Sequence, residues 1–292
     1  GLISLRSVVR FHFPLPNFYL NEKNINMSIL KKLTIKHNSD KHGSHFYTKI
    51  YERYMLPKKN KSITIFEIGI GGYNNGNYSD INLGGESLRV WRDYFLKGKV
   101  IGLDIFKKEI NLGPRVKIIQ GSQSSANCLF KIIKKFKKFD FIVDDGSHNS
   151  KDVIFSFKYL FNSLKEGGYY FIEDTQASYI REFGGDGAFL DNKKTAMNYF
   201  KKIVDKINYQ EIENPFYKPD EFAKNITEIS FFHNMIVIKK EKNLEKSNIL
   251  VNNRRLVSGS SYIKLRLFIK NLKYLALYLK AKINYLLISF KI

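Results

Sequence analysis

The chain has 292 residues, 43% of them hydrophobic and 15% aromatic, enough for one large α/β domain with appendages or two small domains, and global disorder is excluded. A formal net charge of +22 invites a nucleic-acid partner, but no ordered Arg cluster, aromatic RNA-binding signature or zinc spacing accompanies it; a Lys-, Asn-, Ile- and Phe-rich composition of the kind AT-rich coding produces accounts for the charge, and nucleic-acid binding is not favoured. The single cysteine, Cys128, leaves no internal disulfide to form, which fits a reducing cytoplasm, and no stretch reaches the roughly 18–20 uninterrupted apolar residues of a membrane-spanning helix.

Residues 1–26 carry no assignable pattern. Arg6, Arg10, His12, Pro14 and Pro16 interrupt any apolar stretch there, so a signal peptide is not expected, and Met27 reads as the natural start. From residue 61 strand and helix signals alternate. The β-branched run 63–70 (ITIFEIGI) predicts a buried parallel strand ending in glycines. A Gly- and Asn-rich loop follows at 71–85, and then a helix at 86–96 with Leu88, Trp91 and Phe95 at the helical repeat. Strands are predicted at 100–105 and 116–121, a helix with a Ser start at 124–136, a fourth strand at 139–145 and a helix at 150–164. The Gly167-Gly168 pair is expected to end that helix and launch a fifth strand at 169–174. The run 226–240 holds two β-rich halves meeting at His233-Asn234, a predicted hairpin turn. Alternation of this kind requires helices on both faces of a mainly parallel sheet, closed here by an antiparallel pair.

The remaining segment, 241–292, differs in character. From residue 251 it carries nine Lys or Arg and no Asp or Glu, and 264–287 interleaves Leu, Ile, Phe and Tyr with Lys at amphipathic-helix spacing. Three roles suit it: lying on an anionic membrane surface, packing on the domain, or making homo-oligomer contacts.

Chemistry concentrates at the predicted strand ends. The first strand runs into Glu67, Gly69 and Gly71, a turn where the backbone can approach a ligand at the carboxyl edge of the sheet. The nicotinamide fingerprint G-x-G-x-x-G is not met, because position 74 is Asn. Asp104 ends the second strand, where a carboxylate can accept ribose hydroxyls, and Gln123 follows the third, where an amide can read an adenine edge. The fourth and fifth strands end in Asp144-Asp145-Gly146-Ser147-His148 and Glu173-Asp174. Carboxylates converging there repel one another unless a cation neutralises them, and hard oxygen donors favour Mg²⁺, Mn²⁺ or Ca²⁺ over zinc. His148 follows Asp145 by three residues, and an imidazole with a pKa near 6.5 suits a general base near neutral pH. Taken singly, each of these residues is as readily a helix cap or a solvated charge; their joint placement after neighbouring strands argues for a site.

The segments DKHGSHFYTKIYERYM (40–55), FEIGIGG (66–72), GGESLRVW (84–91), GLDI (102–105), GSQS (121–124), VDDGSH (143–148) and FIEDT (171–175) together resemble the metal-dependent sugar O-methyltransferases of macrolide biosynthesis, whose relatives are often labelled cephalosporin-hydroxylase-like. The resemblance spans about residues 39–240. It implies a class I methyltransferase fold: a doubly wound, Rossmann-like, mainly parallel α/β sheet of seven strands with an antiparallel terminal hairpin, here followed by a C-terminal helical extension. It implies S-adenosylmethionine bound by Glu67, Gly69, Gly71, Asp104, Gln123 and Asp144; Mg²⁺ or Mn²⁺ held by Asp145, Glu173 and Asp174; and His148 as general base. It places 27–60 as a helical lid, with His42, His45 and Tyr47 as contacts to cofactor or acceptor, while helix packing explains Tyr51 and Tyr54 equally well. Residues 61–240 are then the S-adenosylmethionine-binding domain.

The expected activity is methylation of a sugar hydroxyl on a glycan, glycoconjugate or nucleotide sugar, in the cytoplasm or at the inner membrane face. Two alternatives compete. A metal-dependent oxygenase wants two His and one carboxylate on iron, which requires His42 or His45 to join His148. A basic adaptor without catalysis has no use for converging carboxylates.

Overall fold

In the computed structural model, the residues described are 27–72, 83–212, 216–247, 250–251, 254–255 and 261–289. The unassigned segment 1–26 and most of the Gly- and Asn-rich loop after the first strand lie outside them.

Apolar β-branched runs form the centre. Strands β1 (Thr64–Ile68), β2 (Lys99–Asp104), β3 (Val116–Gln120), β4 (Phe139–Asp144), β5 (Leu164–Ile172), β6 (Ile226–Phe232) and β7 (Met235–Lys240) make one seven-stranded sheet in the order β3-β2-β1-β4-β5-β7-β6. The first five strands are parallel, and β7 runs antiparallel between β5 and β6. This is the expected class I methyltransferase arrangement. The chain winds outward from β1 in one direction to β3 and returns to β4 on the other side, so the crevice of the sheet lies above β1 and β4, where such folds bind ligands.

Side chains alternate across the strands and bury on both faces. Ile65, Val100, Phe141 and Val143 pack towards α1 (Ile29–Lys36), α2 (Thr48–Met55) and α3 (Glu86–Tyr94), against Leu30, Tyr51, Met55, Trp91 and Tyr94. Phe66, Ile101, Leu103 and Ile142 pack towards α4 (Ala126–Phe136), α5 (Ser150–Leu160) and α6 (Ala196–Lys201), against Leu129, Phe157 and Phe200. Two short helices, α7 (Ile203–Ile207) and α8 (Glu221–Asn225), lead into β6. Capping follows the sequence: Ser125 Oγ accepts from Cys128 N–H at the start of α4, and Asn149 from Lys151 N–H at the start of α5.

The segment 27–60 is a packed layer of the domain. Leu30, Tyr51 and Met55 are fully buried, and His37 Nε2 meets Asp93 Oδ2 of α3 at 2.8 Å.

One expected boundary is corrected. α5 stops at Leu160, and β5 begins at Leu164, so Gly167-Gly168 lie inside the strand. The β4–β5 register shifts between Phe139 and Phe141, and Gly167 takes a φ of 69° in the bulge this creates. The glycines therefore bend a strand that was already running. The expected hairpin forms, with Phe232 paired to Met235 and Asn234 at φ 61°. Beyond it a two-residue pair of strands, β8 (Leu250–Val251) and β9 (Arg254–Arg255), precedes α9 (Ser261–Ser289). On α9, Phe268, Ile269, Leu272, Leu279, Ile283 and Leu287 are exposed, and Tyr278 meets Phe216 with ring centroids 6.0 Å apart. Among the described residues no helix is long and apolar enough to cross a membrane.

Candidate active site

Parallel pairing of β4 and β5, with Asp144 opposite Ile172, sets Asp145 beside Glu173 and Asp174. Glu173 N–H donates to Asp144 O, and Asp145 N–H to Ile68 O, which locks the edges of β1, β4 and β5 together. Alternation then sends neighbouring side chains apart. Asp144 turns into the α5 face, where it accepts from Ser156, Tyr170 and Gln123. Asp145 turns outward over the edge.

Asp145 and Glu173 meet a partner that the sequence reading did not single out. Lys41 is 1% exposed, and its Nζ donates to Asp145 Oδ2 at 2.8 Å and Glu173 Oε1 at 2.6 Å. It also lies 3.2 Å from Glu67 Oε1, an ion pair without a well-aligned hydrogen bond. Tyr51 donates to the same Glu173 oxygen. Converging carboxylates require a cation, and that requirement admits an ammonium as well as a metal. Burial disfavours the Lys41 charge, but Asp145, Glu173 and Glu67 together hold its pKa well above the usual lysine value. Burial raises Asp145 and Glu173 in turn, and the charge of Asp145 pushes Glu173 further up.

Asp174 faces a different neighbourhood. Tyr47 donates to its Oδ1 at 2.8 Å, His45 Nδ1 lies 3.6 Å from Oδ1, and His148 Nε2 lies 3.7 Å from Oδ2. Burial would raise this carboxyl, but His148, His45 and the Tyr47 hydroxyl outweigh it and hold it below the ordinary value. His148 Nε2 also lies 3.9 Å from Asp145 Oδ1, and Phe183 presents its ring edge to the imidazole at 6.5 Å. Asp145 thus offers Oδ2 to Lys41 and Oδ1 to His148.

Two groups bring three ligand atoms within 4.8 Å of one another: Asp145, His148 and Asp174, and Glu67, Asp145 and Glu173. Lys41 sits in the second. An octahedral Mg²⁺ at about 2.1 Å sets its ligands about 3.0 to 4.2 Å apart, so the spacing in the first is of the right size for a hard cation. The expected metal set of Asp145, Glu173 and Asp174 is therefore divided between the two groups, with Asp145 common to both. His42 lies outside both, with its Nδ1 3.4 Å from Thr48 Oγ1 and its ring against Phe46.

The residues expected to hold the cofactor fall into two layers. Gly69 has φ 77°, and a Cβ there would stand 2.0 Å from Asp145 O, so only glycine lets β1 pass under the β4 edge. At Gly71, φ 69°, a Cβ would meet, among the described residues, only Glu86 Oε2 at 3.8 Å. Asp104, expected to accept ribose hydroxyls, here accepts from Ile70 N–H and Phe106 N–H and so fixes the turn after β1. Glu67, Gln123 and Asp144 lie beneath, at 0%, 6% and 1% exposure. Glu67 Oε2 accepts from Ser87 and Trp91, and Gln123 bridges Asp144 and Ser147 N–H. These three brace the strand ends from within.

No protein-family model matches the chain. It is 35% identical over 215 residues to 8-demethyl-8-alpha-L-rhamnosyl tetracenomycin-C 2'-O-methyltransferase of Streptomyces olivaceus, which covers 73% of this chain and 55% of that protein. It is 34% identical over 218 residues to mycinamicin VI 2''-O-methyltransferase of Micromonospora griseorubida, covering 74% of this chain and 53% of that one. The chain thus spans about half the length of the curated relatives it matches. Among solved structures, the MycE methyltransferase from the mycinamycin biosynthetic pathway, in complex with Mg, SAH and mycinamycin VI, superposes with a TM-score of 0.69 at 32% identity, covering 76% of this chain and 55% of that one.

Proposed function

We propose, from the premise that this chain is a homologue of the sugar O-methyltransferases over about three quarters of its length, that it methylates a sugar hydroxyl with S-adenosylmethionine and a divalent cation. The observation that carries this reading is the grouping of Asp145, His148 and Asp174 at the crevice of the sheet, beside the glycine turn of Gly69 and Gly71. The Asp145 and Asp174 carboxylates of that group, with Glu173 on the Lys41 side of Asp145, are hard oxygen donors that suit Mg²⁺ or Mn²⁺ and would hold it, and the His148 imidazole beside them is kept for the base.

When bound, S-adenosylmethionine supplies an electrophilic methyl group, and the cation lowers the pKa of the acceptor hydroxyl and fixes it in place. His148 removes the hydroxyl proton at Nε2. Asp174 and Asp145, 3.7 and 3.9 Å away, stabilise the imidazolium that results. Tyr47 and His45 hold Asp174 in that position from the opposite side. Phe183 lies beside the imidazole, with ring centroids 6.5 Å apart. Most of the acceleration expected here is positioning and charge stabilisation.

In this reading, 27–60 walls the site, 61–240 is the S-adenosylmethionine-binding domain and 241–292 is an appended element. The acceptor is a sugar on a glycan, glycoconjugate or nucleotide sugar. The apolar stripe and basic residues of α9 support docking on an anionic membrane at the cytoplasmic face, and truncation at residue 250 should move the protein into the soluble fraction. Unchanged partitioning removes that part. The oxygenase alternative finds no support among the relatives, which are named O-methyltransferases.

Calorimetric titration of S-adenosylmethionine with and without Mg²⁺, followed by transfer of a labelled methyl group to sugar acceptors, tests the proposal. Micromolar binding and labelled product support it. An absence of binding under every metal condition overturns it.

A further inference from the structure

The two cation-sized groups at the strand ends share Asp145, and the inner one already contains a cation. Lys41 Nζ is placed among Glu67, Asp145 and Glu173 at 2.6 to 3.2 Å, where its positive charge offsets the repulsion of the three carboxylates. Asp145 and Glu173 are also two of the three residues proposed to hold the divalent ion. The same two carboxylates are therefore asked to serve two cations. Glu67 differs from them: its Oε2 is fixed by Ser87 and Trp91, while its Oε1 is buried and lacks a hydrogen bond despite lying 3.2 Å from the ammonium.

We propose that Lys41 is a resident counter-ion of the active site, which holds Asp145 and Glu173 in place when no metal is bound and withdraws onto Glu67 when a divalent ion takes them. The inference rests on the metal-dependent reading of the site. Lys41 is a positioning residue in this scheme, since it acts on the acceptor only through the carboxylates it holds. It lets the acidic strand ends fold against the layer of α1 and α2 without metal, because the mutual repulsion of the carboxylates is relieved from within. The cost of that relief is weaker metal binding: two cations that neutralise the same charges each contribute less in the presence of the other, and the coupling is reciprocal. Glu67 Oε1 supplies the hydrogen-bond acceptor that the displaced ammonium needs, at a distance of one small side-chain adjustment.

The test is a comparison of the full chain with Lys41→Gln, which removes the charge, and Lys41→Arg, which keeps it. Each is stripped of metal and titrated with Mn²⁺ by calorimetry, and its melting temperature is measured with and without the ion. Lys41→Gln should melt lower than native without metal, gain more from Mn²⁺ than native does, and bind it at least tenfold more tightly. Lys41→Arg should bind within about threefold of native. Equal or weaker Mn²⁺ binding by Lys41→Gln overturns the inference alone. An absence of Mn²⁺ binding by the native chain and both variants overturns the metal-dependent reading with it. Should the variants fail to fold, the native chain decides: in a structure with Mn²⁺ bound, Lys41 Nζ should keep Glu67 and lie beyond 4 Å, the limit for an ion pair, from Asp145 or Glu173. Retention of all three contacts around a bound ion overturns the proposal.

Discussion

His148 Nε2 stands 3.7 Å from Asp174 Oδ2, and both residues hold the left-handed backbone conformation, with φ of 55° and 52°. One follows β4 and the other follows β5. Such a conformation costs a residue with a side chain of order 1–3 kcal/mol and persists where the surroundings over-determine it. Here the surroundings are the paired strand ends on one side and the Asn149 cap of α5 on the other. Two such conformations put an imidazole and a carboxylate side by side at the strand ends, the arrangement the proposed general base requires.

His148→Ala should therefore lose methyl transfer by about 10²–10⁴-fold, the usual contribution of a general base. S-adenosylmethionine affinity should stay within a few-fold, because His148 touches the Asp145 and Asp174 side of the edge and not the glycine turn. Single-turnover transfer beside calorimetric binding separates the two effects, and a loss of cofactor affinity equal to the loss of rate would contradict the assignment.

Removal of metal should abolish transfer reversibly. Dialysis against EDTA is expected to leave the chain folded, since Lys41 neutralises Asp145 and Glu173 from within, and added Mg²⁺ should restore the rate. Asp145→Asn should not be restored, because the residue is common to both groups of ligand atoms. Circular dichroism and a methyl-transfer assay on the same samples check both parts.

Gly69→Ala should destabilise the fold by about 2–4 kcal/mol, combining left-handed strain with overpacking. The added Cβ would stand 2.0 Å from Asp145 O, a backbone atom with no freedom to move aside. Gly113→Ala is the control: φ is 88° but nothing lies within 4 Å, so only the strain of about 1 kcal/mol is expected. Urea denaturation of both variants measures the difference, and equal losses would show that the close approach of β1 to the β4 edge is not rigid.

Asp144 gives a pH signature. Burial raises its carboxyl to about 6 from an ordinary 3.8, against the opposing hydrogen bonds of Ser156 and Tyr170. Between pH 4 and 6 the folded chain then binds a proton that the unfolded chain has released, so this group's contribution is present below pH 4 and is lost as pH rises through 6. The loss is a few kcal/mol at most. Native stability should fall with pH over that window relative to Asp144→Asn, which cannot titrate; parallel curves from pH 4 to 7 would refute the shift.

The sheet is legible because its strands are short apolar runs, and two of them, β4 and β5, end in adjacent acidic pairs. Parallel pairing of β4 and β5 brings Asp145, Glu173, Asp174 and His148 to one edge, as the order of strands predicts. The start of β5 is not legible at Gly167-Gly168, because a glycine pair signals both a helix end and a bulge and local sequence does not separate the two.

The sequence by itself determined the order of elements, the doubly wound class and the strand-end location of the acids, since hydrophobic period and turn chemistry act over a few residues at a time. Tertiary structure alone decided which way each carboxylate points and what answers its charge. Glu67 and Asp144 turn into opposite faces of the core, and Lys41 is drawn from a polar stretch into full burial by residues 26, 104 and 132 positions further along the chain. A lysine is ordinarily a surface residue, and only the assembly of three distant carboxylates around it makes its burial favourable.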